Sequence, residues 1–279
     1  MSYTFGAAAT SDMNWSTQIS VGTNLSAFLV CGWWRPTTLT SQRSYFSFGN
    51  LQTARVAATT SEIQLVTGNA TTPGVWTTSG AGIAINNWYF LAFLCMYRTA
   101  NAEWRVWKST GVDNHPVLIP NTNTTPPVGA NGSASGTFYL GNAGTSTTNA
   151  FQGQIGSAST YQVPVSDLPN PLGVTSYTTF SQAEEDFVLR EYVIPAWRGN
   201  PFPAVGNDLK FGGGSITWGI HYFDMEQPIT PRSTVWSNST TYSPEGGTAT
   251  NQGCTFSLER PPVATGAMNT NPFPGYRRR

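Results

Sequence analysis

GTFYLGNAGTSTTNAFQGQIGSASTY, residues Gly136 to Tyr161, decides how the rest of the chain is read. Two short apolar runs, Phe138-Tyr139-Leu140-Gly141 and Phe151-Gln152-Gly153-Gln154-Ile155-Gly156, flank a turn of small residues, and the second continues as alternating Ser and Ala to Tyr161. The pattern predicts a strand, a loose turn and a longer antiparallel strand.

Working upstream, Trp88 to Tyr97 is an unbroken apolar run, as is Ala27 to Trp34, which Pro36 stops. A half-buried strand alternates apolar with polar residues, and these two do not. In a two-sheet sandwich one face of each strand meets the core, so Trp33 and Trp34 must point to opposite sides. In Glu103-Trp104-Arg105-Val106-Trp107-Lys108, Trp104 and Val106 share one face and Arg105 and Trp107 the other. Large outward aromatics seldom stay bare. Two covers are expected: the C-terminal third of the chain, or another subunit. Weaker strands are expected at 17–21, 44–48, 55–58 and 62–66, the last two forming a hairpin. Residues 1–14 read as a small-residue lead and Asn121 to Ser135 as an exposed loop.

Downstream, Ser181 with Glu184 fits a capping box, and Glu184, Glu185 and Asp186 place negative charge where the helix dipole favours it. Phe187, Val188 and Tyr192 give this helix an apolar stripe, and Pro195 is expected to stop it. Beyond it, prolines from Pro201 to Pro274 punctuate short apolar pieces, and proline at that density confines strands to sheet edges.

Trp88-Tyr89-Phe90-Leu91-Ala92, Leu140-Gly141-Asn142 and Phe151-x-Gly153-x-Ile155 leading to Tyr161 together resemble the concanavalin A-like, laminin-G-like jelly-roll family, over roughly residues 15 to 190. The resemblance implies an all-β, two-sheet antiparallel jelly-roll sandwich with one short helix and an extended C-terminal arm. The expected divisions are a sandwich at 1–165, a linker and capping helix at 166–199, and a Pro/Gly-rich arm with short strands at 200–279. That fold hosts lectins, glycosidases, adhesion modules and virion proteins, so function must come from a site.

Charged residues make up 10% of the 279, against roughly 25% in ordinary soluble domains. Such a surface suits a protein covered by neighbours, or an extracellular or virion protein, better than a cytosolic enzyme. The formal net charge is zero, so no global field draws in nucleic acid or an anionic membrane. Tyr276-Arg277-Arg278-Arg279 is the local exception, read either as a solvated tail or as a salt-sensitive contact with an acidic neighbour. Met1 to Phe5 lacks the basic and apolar pattern of a leader peptide, and no apolar run has the length of a membrane span. Cys31 and Cys95 lie in apolar runs and are expected as a reduced core pair, with a disulfide as the alternative; Cys254 is the third cysteine.

Candidate chemistry is sparse. Asp224 and Glu226 form the one alternating acidic pair, short of the three alternating acids that the resembled glycosidases carry. His115 and His221 have no ligand-spaced partners, so zinc is not expected. Asp113 and Asn114 could be rim ligands for calcium, but turn formers are the plainer reading. Gly212-Gly213-Gly214-Ser215 lacks the lysine of a phosphate loop.

The expectation is therefore a non-enzymatic protein with no cofactor. The resemblance looks closest to tailed-bacteriophage virion structural proteins, which implies a capsid decoration or cement protein. It would bind the major capsid protein and sister copies, as a homo-oligomer for which a trimer is plausible, without nucleic acid or membrane. The alternative is a tail-fibre or tailspike-associated module that binds surface glycans. The capsid surface is favoured over the tail as the location. The candidate interface is Trp33, Trp34, Trp104, Trp107, Trp236, Tyr276, Arg277, Arg278 and Arg279.

Overall fold

A computed structural model describes residues 2–6, 12–15, 27–40, 42–48, 52–56, 60–68, 71–96, 103–129, 138–143, 150–163, 181–199, 220–223, 234–235 and 249–262. Its strands are β1 (Ser2–Phe5), β2 (Asp12–Trp15), β3 (Ala27–Pro36), β4 (Arg43–Phe48), β5 (Gln52–Val56) and β6 (Ile63–Thr67). β7 (Gly74–Thr78), β8 (Tyr89–Met96), β9 (Glu103–Ser109), β10 (Val117–Ile119), β11 (Asn121–Thr125) and β12 (Phe138–Leu140) follow. The last are β13 (Gly153–Val163), β14 (Ile220–Phe223), β15 (Thr234–Val235), β16 (Ala249–Gln252) and β17 (Thr255–Ser257).

They form two antiparallel sheets. Sheet A runs β10-β9-β8-β3-β13-β1-β17, with β14 also on β13; sheet B runs β11-β7-β6-β5-β4-β12-β2-β16-β15. The expected all-β sandwich is what the chain builds. Between the sheets lies an aromatic core in which Trp34, Tyr45, Phe46, Phe93, Trp104 and Phe138 are all fully buried. Its rings meet mostly edge-on, as Trp34 does with Tyr45 and Phe93 and Phe28 with Trp104, the arrangement that ring quadrupoles favour. Adjacent Tyr45 and Phe46 both reach this core because the β4–β5 register shifts between Ser44 and Phe46, which breaks the alternation of side chains.

The deciding stretch differs from its expected hairpin. β12 lies in sheet B between β4 and β2, whereas β13 lies in sheet A between β3 and β1. The segment crosses between layers, and both turns need glycine. Gly141 has φ +82°, and a Cβ there would sit 2.5 Å from the Phe5 ring. At Gly153, φ +148°, a side chain would run into the Arg35 carbonyl.

The lead, expected within the 1–165 sandwich, supplies β1 to sheet A and β2 to sheet B. Two further expectations are corrected. Asn121–Thr125, expected as loop, is the edge strand of sheet B, paired to β7; its Asn/Thr composition suits an exposed edge that carries no core side chain on its outer margin. Pro195 does not end the helix. α1 (Gln182–Val188) continues through a π-helical turn, Leu189–Val193, into α2 (Ile194–Trp197). The Ile194 N–H bonds Leu189 five residues back, and this wider turn accommodates the ring of a residue that has no N–H to donate. The helix stops instead at Gly199, φ +77°, whose N–H bonds the Ala196 carbonyl. The expected strand at 17–21 lies outside the described residues.

Candidate functional site

Strand alternation sends every second residue of β3, β8 and β9 away from the core, and on the outer face of sheet A most of these residues are apolar, with Arg105 and Glu103 of β9 as charged exceptions. Leu29, Cys31, Trp33, Phe90, Ala92, Leu94 and Trp107 form a second buried layer with Tyr161 and with Val188, Tyr192, Val193, Ala196 and Trp197 of the helix. The helix begins in the predicted capping box: the Ser181 side chain accepts from the Glu184 N–H while the Glu184 carboxylate accepts from the Ser181 N–H at 2.7 Å. Two polar anchors hold it on the sheet. Arg105 on β9 donates to Glu185 and pairs with Glu103 at 2.7 Å, and the Trp197 indole N–H donates to the Gly111 carbonyl at 3.1 Å.

This layer settles the tryptophans. Trp33 and Trp34 do point to opposite sides, as do Trp104 and Trp107, but all four are at most 1% exposed. The expectation that they offer an interface is corrected: Trp34 and Trp104 fill the inter-sheet core, and the helix covers Trp33 and Trp107. Its Tyr192 ring crosses that of Tyr161 at 5.6 Å. The cover comes from the chain itself, from the helix that opens its C-terminal third. Trp236, Tyr276, Arg277, Arg278 and Arg279 lie outside the described residues, as do Asp224 and Glu226. The cysteines are free and buried, but Cys31 faces the helix and Cys95 the core. They are therefore separated by sheet A and form no pair. Burial pushes both thiols up, which keeps them protonated and inert.

The outer face of sheet B is of another kind. β6 and β7 alternate strictly, burying Ile63, Leu65 and Trp76 and leaving Gln64, Val66, Val75 and Thr77 half-buried. Arg55 beside them gives its Nε–H to Gln64 at 3.1 Å, and Tyr139 on β12 is half-buried. This face is short of charge.

The polar clusters serve structure. The Glu62 carboxylate accepts from the Thr78 hydroxyl and from the N–H groups of Gly80 and Ala81, at 2.6 to 3.0 Å, and so fixes the turn after β7. Lys108 donates to the Ala81 carbonyl and lies 5.4 Å from the Tyr89 ring centre; burial lowers its pKa and Glu62 partly restores it. Asp113 and Asn114 are exposed, and the Asn114 amide donates to the Thr110 hydroxyl within its own turn. The His115 ring lies against that of Trp197, tilted by 42° with centres 5.0 Å apart. Asp12 is buried and accepts from the Asn14 amide at 2.8 Å; burial raises its pKa, and bonds to Asn14 and Asn142 oppose the shift. Among the described residues no three His, Cys, Asp or Glu side chains gather as a metal site, and no helix is long and apolar enough to cross a membrane.

What sequence reading missed is a clasp at the chain's two ends. β1 sits between β13 and β17, and β2 between β12 and β16. Beyond β17 the Glu259 carboxylate pairs with Arg35 at 2.5 Å, and its carbonyl accepts from the Ser2 hydroxyl at 2.8 Å. Gln154 joins them, accepting from Arg35 at 2.7 Å and donating to Ser257 at 3.1 Å. Pro261 closes over Gly156, where a Cβ would lie 2.8 Å from its ring and 3.3 Å from the Trp33 Cβ. No local signal marks this clasp, because its partners stand from about 100 to 257 residues apart.

Comparison with known proteins places the architecture. No protein-family model and no curated protein matches the chain. Among solved structures it is similar to a proposed carbohydrate-binding protein from Bacteroides ovatus, with TM-score 0.54 and 12% identity, over 94% of this chain and 61% of that one. It spans, then, less than two thirds of that protein. Weaker likenesses are a heptameric pentraxin of Limulus polyphemus, with TM-score 0.43, 11% identity and 79% and 93% of the two chains, and domains LG4-5 of mouse laminin α1, with TM-score 0.36, 15% identity and 56% and 40%. At 12% identity, what the first of these shares with the chain is the fold alone.

Proposed function

We propose that this chain is a non-catalytic structural protein of a bacteriophage virion, a capsid decoration or cement subunit that binds the major capsid protein and sister copies. The observation that carries the reading is how the C-terminal third is used. Its described pieces are short strands added along the edges of both sheets, which suits a segment that attaches the sandwich to neighbours. The low-charge surface suits a protein largely covered by them. The four sandwich tryptophans no longer contribute, so attachment falls to the C-terminal part, with Arg277, Arg278 and Arg279 supplying a salt-sensitive contact to an acidic neighbour. Deleting residues 266–279 should reduce incorporation into particles, with a loss that shrinks as salt rises, because salt screens the same contact in the intact chain. Unchanged incorporation would sink the attachment role.

A second reading has one observation in its favour, the likeness to a proposed carbohydrate-binding protein. In it the chain is a glycan-binding module of a tail fibre or tailspike. Trp104 and Trp107 are buried and cannot stack on a sugar, so the sugar would lie on the outer face of sheet B beside Tyr139, Gln64 and Thr77. Glycan-array binding abolished by Tyr139→Ala, with folding intact, would favour this reading over the first.

A further inference from the structure

Thr122 on β11, Thr77 on β7, Gln64 on β6 and Arg55 on β5 are successive cross-strand partners, so they stand side by side in one row across sheet B. The row points away from the core, because Ala54, Leu65 and Trp76 next to it in sequence point inward. Arg55 is half-buried, and its Nε–H donates to the Gln64 side-chain oxygen at 3.1 Å. Among the described residues no carboxylate pairs with this guanidinium, and burial lowers its pKa with no acid beside it to oppose the shift. Glu62 is engaged by Thr78, Gly80 and Ala81. Asp12, which alternation puts on the same face, is buried, bonded to Asn14 and Asn142, and separated from β5 by β4 and β12. A half-buried cation without an acid is costly to a fold. Here it is also held ready, since the bond to Gln64 fixes the guanidinium and leaves both Nη groups for another acceptor. Directly across from Arg55 on β4, Ser44 is fully buried and its hydroxyl has no partner, a group of the kind that a bound ion or water completes.

We propose that this row is the carboxylate subsite of a glycan-binding face, where Arg55 takes the carboxylate of an acidic sugar and Tyr139 carries a neighbouring ring. The inference rests on the glycan-binding reading above and adds the class of sugar to it. The planar fork of arginine matches a carboxylate with two parallel bonds. Along the same row the Gln64 amide and the Thr77 and Thr122 hydroxyls suit the hydroxyls of a sugar. Tyr139 lies on this face as well: its partner Ser47 pairs with Thr53, two residues from Arg55 along β5. Two strand spacings and two residue steps separate Tyr139 from Arg55 by about 12 Å. One sugar ring does not span that gap, so the site takes a disaccharide or longer.

The test is a glycan array in which each uronic-acid oligosaccharide stands beside its methyl ester and each sialylated one beside its desialylated form, with sulfated sugars as a further set. The wild-type chain should hold the carboxylated members about tenfold more tightly than their neutral counterparts, the scale of a hydrogen bond to a charged group. That margin should narrow as salt rises. Arg55→Gln should erase the preference and leave the neutral members bound as before. Arg55→Lys, which keeps the charge without the fork, should retain part of it, and Tyr139→Ala should lose both sets. Thermal melts confirm that each variant is folded, and the salt series on the wild-type chain needs no variant at all. Equal binding of acidic and neutral members, a preference that survives Arg55→Gln, or a preference for sulfate over carboxylate would overturn the subsite and leave the glycan-binding reading standing. An array on which the wild-type chain binds nothing overturns that reading, and the subsite with it.

Discussion

The two outer faces of the sandwich obey opposite rules. On sheet A the residues of β3 and β8 are buried on both sides, because the helix from Gln182 to Trp197 lies on Leu29, Trp33, Phe90 and Leu94. On sheet B, β6 and β7 bury every second residue and leave the others half-exposed. Unbroken apolar runs therefore mark strands with two covers, and alternation marks strands with one. The apolar area that could have served as an interface is already used by the chain itself.

The largest effect expected from this contrast separates Trp33 from Val75. Trp33→Ala removes a fully buried ring beneath the helix and should cost about 3–5 kcal/mol of stability. Val75→Ala on the outer face of sheet B should cost less than about 1 kcal/mol. Urea unfolding of both variants checks this, and equal losses would erase the distinction between the faces.

Next in size is the clamp. Arg105→Ala strips Glu185, 11% exposed at its side chain, of its cation, and a hydrogen bond to a charged group is worth about 1.5–3 kcal/mol. The loss should appear as faster amide exchange in α1 before the sheets open. Uniform loosening of both sheets would mean that Arg105 does not act through the helix.

The smallest effect concerns pH. Burial raises the Asp12 pKa above its unfolded value, so the folded state holds its proton more tightly than the unfolded chain. Stability from this group is complete below the unfolded pKa and is lost as pH rises through the folded one. Asp12→Asn keeps an acceptor for Asn14 without the charge. It should flatten the stability profile as pH rises above the ordinary carboxylate range and match or exceed wild type at neutral pH. A variant with the wild-type slope would show that Asp12 does not titrate in this way.

Much of this was legible locally. The opposed tryptophans follow from strand alternation alone, and the capping box was visible in Ser181 and Glu184. The sandwich was legible through its motifs. What could not be read is set by contacts distant in sequence. The cover over Trp33 comes from a helix whose apolar stripe was plain but whose docking place was not. Pro195 was read as a stop because nothing local announces a π-helical turn. The separation of β12 from β13 depends on which sheet each joins, and a turn of small residues is compatible with a hairpin or a crossing. The clasp needs Ser2 and Glu259 to meet, and neither residue carries any mark of the other.

Hydrogen exchange on the intact chain, read at Leu189–Trp197 against β3 and β8, tests most directly whether the helix is a permanent cover for the aromatic face. The account predicts that helix amides exchange as slowly as those of the two strands, in one cooperative opening. Helix amides that exchange freely while β3 and β8 stay protected would contradict it, and would return Trp33 and Trp107 to the surface as a place for partners.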